Sequence, residues 1–181
     1  MARMSASTKS SQLFFVLLLA ILVSPEPAVA GKPPKITRLQ FYMHDIHSGQ
    51  TPTAVRVAPS QPLNFSGENP MFGSVYVADN QLTVSPDINS TLVGRAQGIY
   101  AMASLGEDMS LHMMLTYTLQ QFNDSSFSVI GRNPVMSPVR EFPIYGGTGV
   151  FRLARGYCFA QTNSTSGPDA VVGYNVTLFH Y

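Results

Sequence analysis

The chain has 181 residues, a formal net charge of +1, one cysteine and no tryptophan. That length predicts a single domain, the small charge gives no nucleic-acid surface, and one cysteine excludes an internal disulfide scaffold. Charged residues make up 12% of the chain, about half the usual share, while hydrophobic residues reach 45%, enough to build a core.

Arg3 and Lys9 give a positive start, and Leu13 to Val23 form an unbroken apolar run. Pro25 and Pro27 end it, and Ala28-Val29-Ala30 supply small residues for cleavage. This pattern predicts a signal peptide over residues 1–30, with an apolar run too short to span a bilayer comfortably. Residues 31–181 then carry equal numbers of basic and acidic side chains and no second long apolar run. A secreted, soluble domain is the expectation, with no membrane and no nucleic acid as partner. N-x-S/T acceptors occur at Asn64, Asn89, Asn123, Asn163 and Asn175. Asn175 falls in a strand pattern and is expected to be inaccessible, which leaves the other four as glycan candidates.

After residue 31, alternating, β-branched and aromatic segments recur between turn residues. Residues 36–46 predict a first strand and 53–58 a second. Residues 73–84 predict two short strands joined by a turn at Asp79-Asn80. Further strands are predicted over 92–104, 109–120, 126–130, 149–161 and 170–180. The prolines of GRNP (131–134) and PVREFP (138–143) argue against an interior strand there. Eight or nine strands joined by short turns predict an all-β domain. A closed antiparallel barrel removes exposed edges and leaves room for one small ligand; a sandwich uses the same alternation.

Candidate chemistry is sparse. Phe41, Met43 and Asp45 share one strand face, and Tyr42, His44 and Ile46 the other. A carboxyl group beside Phe41 and Met43 is either a desolvated proton donor or acceptor in a cavity, or a strand-end group paired with an arginine. Arg140 is either a clamp for a phenolate or carboxylate, or a surface ion-pair partner of Glu141 or another acid. Arg155 is open to an ion-pair role or a ligand contact. GGTG (146–149) lacks the lysine and helix of a phosphate loop and reads as a tight turn. Cys158 between Tyr157 and Phe159 reads as a packed thiol, and Met109, Met113 and Met114 as core filling. No pattern calls for a metal or cofactor.

The stretches FYMHDI (41–46), VGRAQGIYAMAS (93–104), LTYTL (115–119), GRNPVMSPVREFPIYGGTGVFRLARGYCFAQT (131–162) and VVGYNVTLFHY (171–181) together resemble the plant dirigent proteins. The resemblance implies an eight-stranded antiparallel β-barrel with a central pocket, assembled as a homotrimer in the secretory pathway, apoplast or cell wall. It implies stereocontrol of phenoxy-radical coupling, with an external laccase or peroxidase as oxidase partner, or ring closure through a quinone methide. By motif it assigns Asp45 as pocket acid or base, Tyr100 as the pocket tyrosine and Arg140 as a pocket arginine, and so tips Asp45 and Arg140 toward function. Two departures stand out. Asn133 replaces an aspartate of pinoresinol-forming members, and the cysteines those members carry near both ends are absent. The wording of GRNPV and FRLARGY is closer to the branch that includes pterocarpan synthases. Other readings are a non-catalytic phenol-binding protein of the wall and a carbohydrate-binding protein.

Overall fold

The computed structural model describes residues 33–60 and 69–181. The predicted signal peptide and Asn64 lie outside the described residues. The strands are β1 (Lys35–Asp45), β2 (Ala54–Ala58), β3 (Val75–Thr83), β4 (Leu92–Met102), β5 (Ser110–Leu119), β6 (Ser125–Pro134), β7 (Arg140–Gly147), β8 (Arg155–Ser166) and β9 (Asp169–His180).

The sheet runs in the order β1-β9-β8-β7-β6-β5-β4-β3-β2, and an added β1–β3 pairing closes it. The closed ring therefore contains eight antiparallel strands, as the barrel reading required. Strand β3 serves two neighbours along one edge. Its first half pairs with β2 through Ala54↔Ala78 and Val55↔Val77. Its second half pairs with β1 through Tyr42↔Thr83 and His44↔Gln81. Strand β2 thus stands outside the ring.

Alternation sends one side chain inward and the next outward along each strand. The inward set fills the barrel with an aromatic cluster. Tyr117 stacks on Phe127 with centroids 5.0 Å apart and touches Phe41 and Tyr174. Along β4 the inward positions Gly94, Ala96 and Gly98 are small, and Tyr100 follows them. Gly98 has φ +152°, and a Cβ there would meet the Met114 carbonyl oxygen at 2.1 Å. Gly156 of β8 is its counterpart, with φ +150° and the Thr177 oxygen at 2.0 Å. Both positions admit only glycine, and both bring adjacent strands into close approach.

The structure corrects three sequence expectations. Residues 75–83 form one strand, with Asp79 and Asn80 in mid-strand rather than in a turn. Asp79 faces out and pairs with Arg95, while Asn80 is fully buried. Strand patterns also exist on both sides of the 131–143 prolines. Pro134 ends β6, and Val135 donates its amide to the Met109 carbonyl at 3.0 Å. Alternating hydrogen bonding turns the amide position of Pro134 away from β5, so no ladder bond is lost. The β6–β7 ladder stops at Val129↔Ile144, which places Pro143 beyond it. Finally, residues 149–151 form a 3-10 turn, and β8 begins only at Arg155. The GGTG segment ends β7 and enters that turn.

Candidate functional site

The prolines that blur the sequence pattern also open the barrel. Beyond Val129↔Ile144, β6 and β7 have no register partners in each other. A cavity of about 520 Å³ opens there, a size that suits one small organic ligand. Its walls are mostly apolar, with Met43, Leu111, Met113, Val135, Pro138 and Val172. Asp45, Asn133, Arg140, Thr162 and Tyr174 supply polar groups.

Asp45 is the last residue of β1, on the inward face with Phe41 and Met43. Its carboxylate is held by three groups. Asn80 Nδ2 donates to Oδ1 at 2.9 Å, and Tyr100 Oη lies 3.1 Å from each carboxylate oxygen. His47 Nε2 lies 3.3 Å from Oδ2 and 3.0 Å from Tyr100 Oη. Asn80 is in turn fixed by the Thr53 hydroxyl, which donates to Oδ1 at 2.7 Å. Tyr100 stacks on Tyr76 with centroids 5.1 Å apart. Burial, and then the neighbouring Asp45 charge, push the Tyr100 phenol far above its usual range. Tyr100 therefore stays a neutral donor. The Asp45 hydrogen bond raises the His47 pKa above the ordinary histidine value, with burial opposing it.

Arg140 opens β7, whose burial alternates strictly. Arg140, Phe142 and Ile144 point in, while Glu141, Pro143 and Tyr145 point out. The predicted alternative of an Arg140–Glu141 surface pair is thereby excluded. Arg140 is only 4% exposed, and burial lowers its pKa. Nη1 donates to Thr162 Oγ1 at 2.9 Å and to the Ser137 carbonyl at 3.3 Å, while Nε has no partner. Among the described residues no carboxylate pairs with it. Asn133 lines the same cavity, and its Oδ1 is likewise buried and without a partner. An unpartnered donor and an unpartnered acceptor thus sit on two residues of one cavity wall, each costly to leave unsatisfied.

The structure brings Asp45 and Arg140 to one cavity wall; Tyr100, expected as the pocket tyrosine, meets the Asp45 carboxylate but does not itself line that cavity. Sequence reasoning missed His47 and Asn80. The Asp-Asn pair reads as a turn, and His47 lies just past the strand, where periodicity says nothing about direction. Several weaker candidates resolve away from the site. Arg155 is exposed and caps the Tyr145 carbonyl at 2.9 Å. Cys158 is fully buried, and burial pushes its thiol up to about 12. Met113 is buried, but Met109 and Met114 are exposed rather than core filling. Asn89, Asn123 and Asn163 are exposed, and so is Asn175, contrary to expectation.

Comparison with known proteins adds an independent line. A family model described as Dirigent-like protein matches residues 36–179, from the first strand to the last. Dirigent protein 21 of Arabidopsis thaliana is 46% identical, covering 93% of this chain and 94% of its own. Pterocarpan synthase 1 of Glycyrrhiza echinata is 42% identical over 100% of both chains. A solved pterocarpan synthase dirigent protein has a TM-score of 0.74 at 43% identity, covering 83% of this chain and 88% of that one. With the barrel, the inward Asp45 and Arg140, and matches that run end to end, the chain belongs to the dirigent protein family.

Proposed function

We propose that the protein binds a phenolic substrate in the Asp45–Arg140 cavity and imposes one stereochemical outcome on it. The reaction is closure of a quinone methide ring or coupling of phenoxy radicals within phenylpropanoid biosynthesis. The observation that carries this reading is Arg140, a buried cation with a free Nε and no carboxylate partner among the described residues. It is built to meet an oxygen that gathers negative charge, as a phenolate or quinone oxygen does.

Ring closure is the favoured chemistry. Asn133 is an amide and does not exchange protons as a second carboxylate would. Two relatives similar over nearly the whole chain, each at 42% identity, are pterocarpan synthases. From an isoflavanol, loss of the benzylic hydroxyl with a phenolic proton, as water, leaves a quinone methide; in the proposed step a second hydroxyl oxygen of the substrate then attacks the methide carbon and forms a C–O bond. The methide electrons move onto the ring oxygen, which becomes a phenol after taking a proton. The attacking hydroxyl loses one, so the step is proton-neutral. Asp45 transfers protons, Arg140 holds the oxygen that gains charge, and Tyr100 fixes the Asp45 carboxylate. Holding both reacting atoms close supplies most of the advantage. A tenfold enantiomer preference needs only about 1.4 kcal/mol. In radical coupling, an external laccase or peroxidase supplies the one-electron oxidation, and the cavity supplies the geometry.

Secretion to the apoplast, glycosylation at Asn64, Asn89, Asn123 and Asn163, and homotrimer assembly complete the proposal. A row of outward apolar side chains supports assembly. Val55, Val77, Ile99, Met114 and Ile130 stand in consecutive register across β2 to β6. The decisive assay incubates the purified protein with isoflavanols, or with monolignols plus an external oxidant, and measures chiral products. An enantiomeric excess absent from the protein-free control is expected. Racemic products with intact phenol binding would instead mark a non-catalytic binding protein.

A further inference from the structure

Asp45 faces the cavity on one side and meets His47 on the other, and His47 does not line the cavity. Hydrogen positions follow from the partners. Tyr100 has one hydroxyl hydrogen, given to the Asp45 carboxylate at 3.1 Å. Its oxygen is then the acceptor toward His47 Nε2 at 3.0 Å. Nε2 therefore carries a hydrogen, shared between Tyr100 Oη and Asp45 Oδ2 at 3.3 Å. The side chains of His47 and Asp45 are 19% and 18% exposed, so both keep contact with solvent.

The surroundings hold His47 in this pose. Its own amide donates to Asp169 Oδ1 at 2.8 Å, and the Ser48 amide donates to the same oxygen at 2.9 Å. Tyr76 packs edge-on against the ring, with centroids 5.3 Å apart at 87°. The titratable groups facing His47 are thus Asp45 of β1, Tyr76 of β3, Tyr100 of β4 and Asp169 of β9. No cation appears in that set, and the carboxylates favour imidazolium.

We propose that His47 is a positioning and proton-relay residue that orients the Asp45 carboxylate and exchanges its proton with solvent. This inference rests on the functional reading of Asp45 above. The imidazolium form of His47 passes its Nε2 hydrogen to the Asp45 carboxylate as Asp45 delivers a proton to the substrate oxygen, and the neutral ring, which keeps its Nδ1 hydrogen, regains one at Nε2 from water. The proton leaving the attacking hydroxyl goes to water, so the cycle balances. A histidine suits this task because it titrates near neutral pH. The raised His47 pKa agrees with the same hydrogen bond.

The test has two arms. Histidine ring NMR on the full-length mature protein follows the titration of His47 in wild type and in Asp45→Asn. Wild type should titrate above the ordinary value of about 6.5, and Asp45→Asn should return it toward that value. In the second arm, ring closure of an isoflavanol is measured for His47→Ala. Turnover should fall about tenfold or more, with KM nearly unchanged, and added imidazole should restore it. A histidine that titrates normally in both proteins overturns the proposal, as does His47→Ala with full turnover or without imidazole rescue. If wild type turns over no phenol, the functional reading fails, and the NMR arm alone then decides whether His47 and Asp45 share a proton.

Discussion

Arg140 shows how the cost of burying a single residue can argue for a binding role. A buried guanidinium with an unpartnered Nε is a liability for folding, since removing a charge from water is expensive. Replacing it by Met keeps the volume and removes that cost. Thermal unfolding of Arg140→Met should therefore give a Tm no lower than wild type. Its affinity for a phenolic ligand, read by calorimetry, should fall roughly 10- to 100-fold, the worth of a charge-assisted hydrogen bond. A variant that unfolds several degrees earlier, with affinity intact, would make Arg140 structural. The inward placement of Asp45 was legible from its neighbours Phe41 and Met43, because strand period fixes the face. Arg140 could be read either way until β7 was in place. His47 was not legible, because it acts from beyond the strand end, through contacts with β3 and β4 that no local pattern records.

At the scale of elements, the two ends of the β1–β3 seam respond oppositely to pH. His44 is buried on the face opposite Asp45, and its Nε2 lies 2.7 Å from Thr83 Oγ1. The Thr83 hydroxyl donates to the Ser85 carbonyl at 2.7 Å, so His44 Nε2 must be the donor. Burial lowers the His44 pKa, with Asp87 partly offsetting it. A lowered histidine pKa means the unfolded chain binds the proton more readily. Stability from neutral His44 is thus complete above about pH 6.5 and is lost as pH falls through the folded value. The raised His47 pKa works the other way, stabilising below about pH 6.5 and losing that contribution as pH rises through its folded value. His44→Asn should flatten the fall in Tm between pH 7.5 and pH 5, and an unchanged slope would contradict this. The glycine bends make a second prediction. Gly98→Ala forces a Cβ against the Met114 carbonyl, and the urea midpoint should report a loss of at least about 2 kcal/mol. Strands β1, β5 and β9 were largely legible because their alternation is long, whereas the Ala and Gly of β4 weakened its pattern. Strand β7 was not, because proline is read as a strand breaker. Here it stands where the ladder has already parted, and that parting opens the cavity.

For the whole molecule, the closed ring was expected, but not the way it closes. Strand β3 shares one edge between β2 and β1, a division set by tertiary pairing rather than by local sequence. That arrangement leaves an apolar row across the outer wall, from Val55 through Val77, Ile99 and Met114 to Ile130. Val55, Val77, Ile99 and Met114 remain exposed in the single chain. Such a continuous row is what an interface between copies would cover. Sedimentation of the purified protein should give three times the monomer mass, and Ile99→Lys should sediment as a folded monomer. A monomeric wild type would contradict the assembly.

The proposed function requires Asp45 to perform chemistry inside a cavity that also orients the substrate. The most direct measurement compares wild type with Asp45→Asn in ring closure of one isoflavanol, reading both rate and enantiomeric ratio. The substitution keeps the shape of the side chain while removing its charge, one acceptor oxygen and its proton exchange. The rate should fall about 100-fold or more, while phenol binding persists. Equal rates and equal enantiomeric ratios in the two folded proteins would contradict the account.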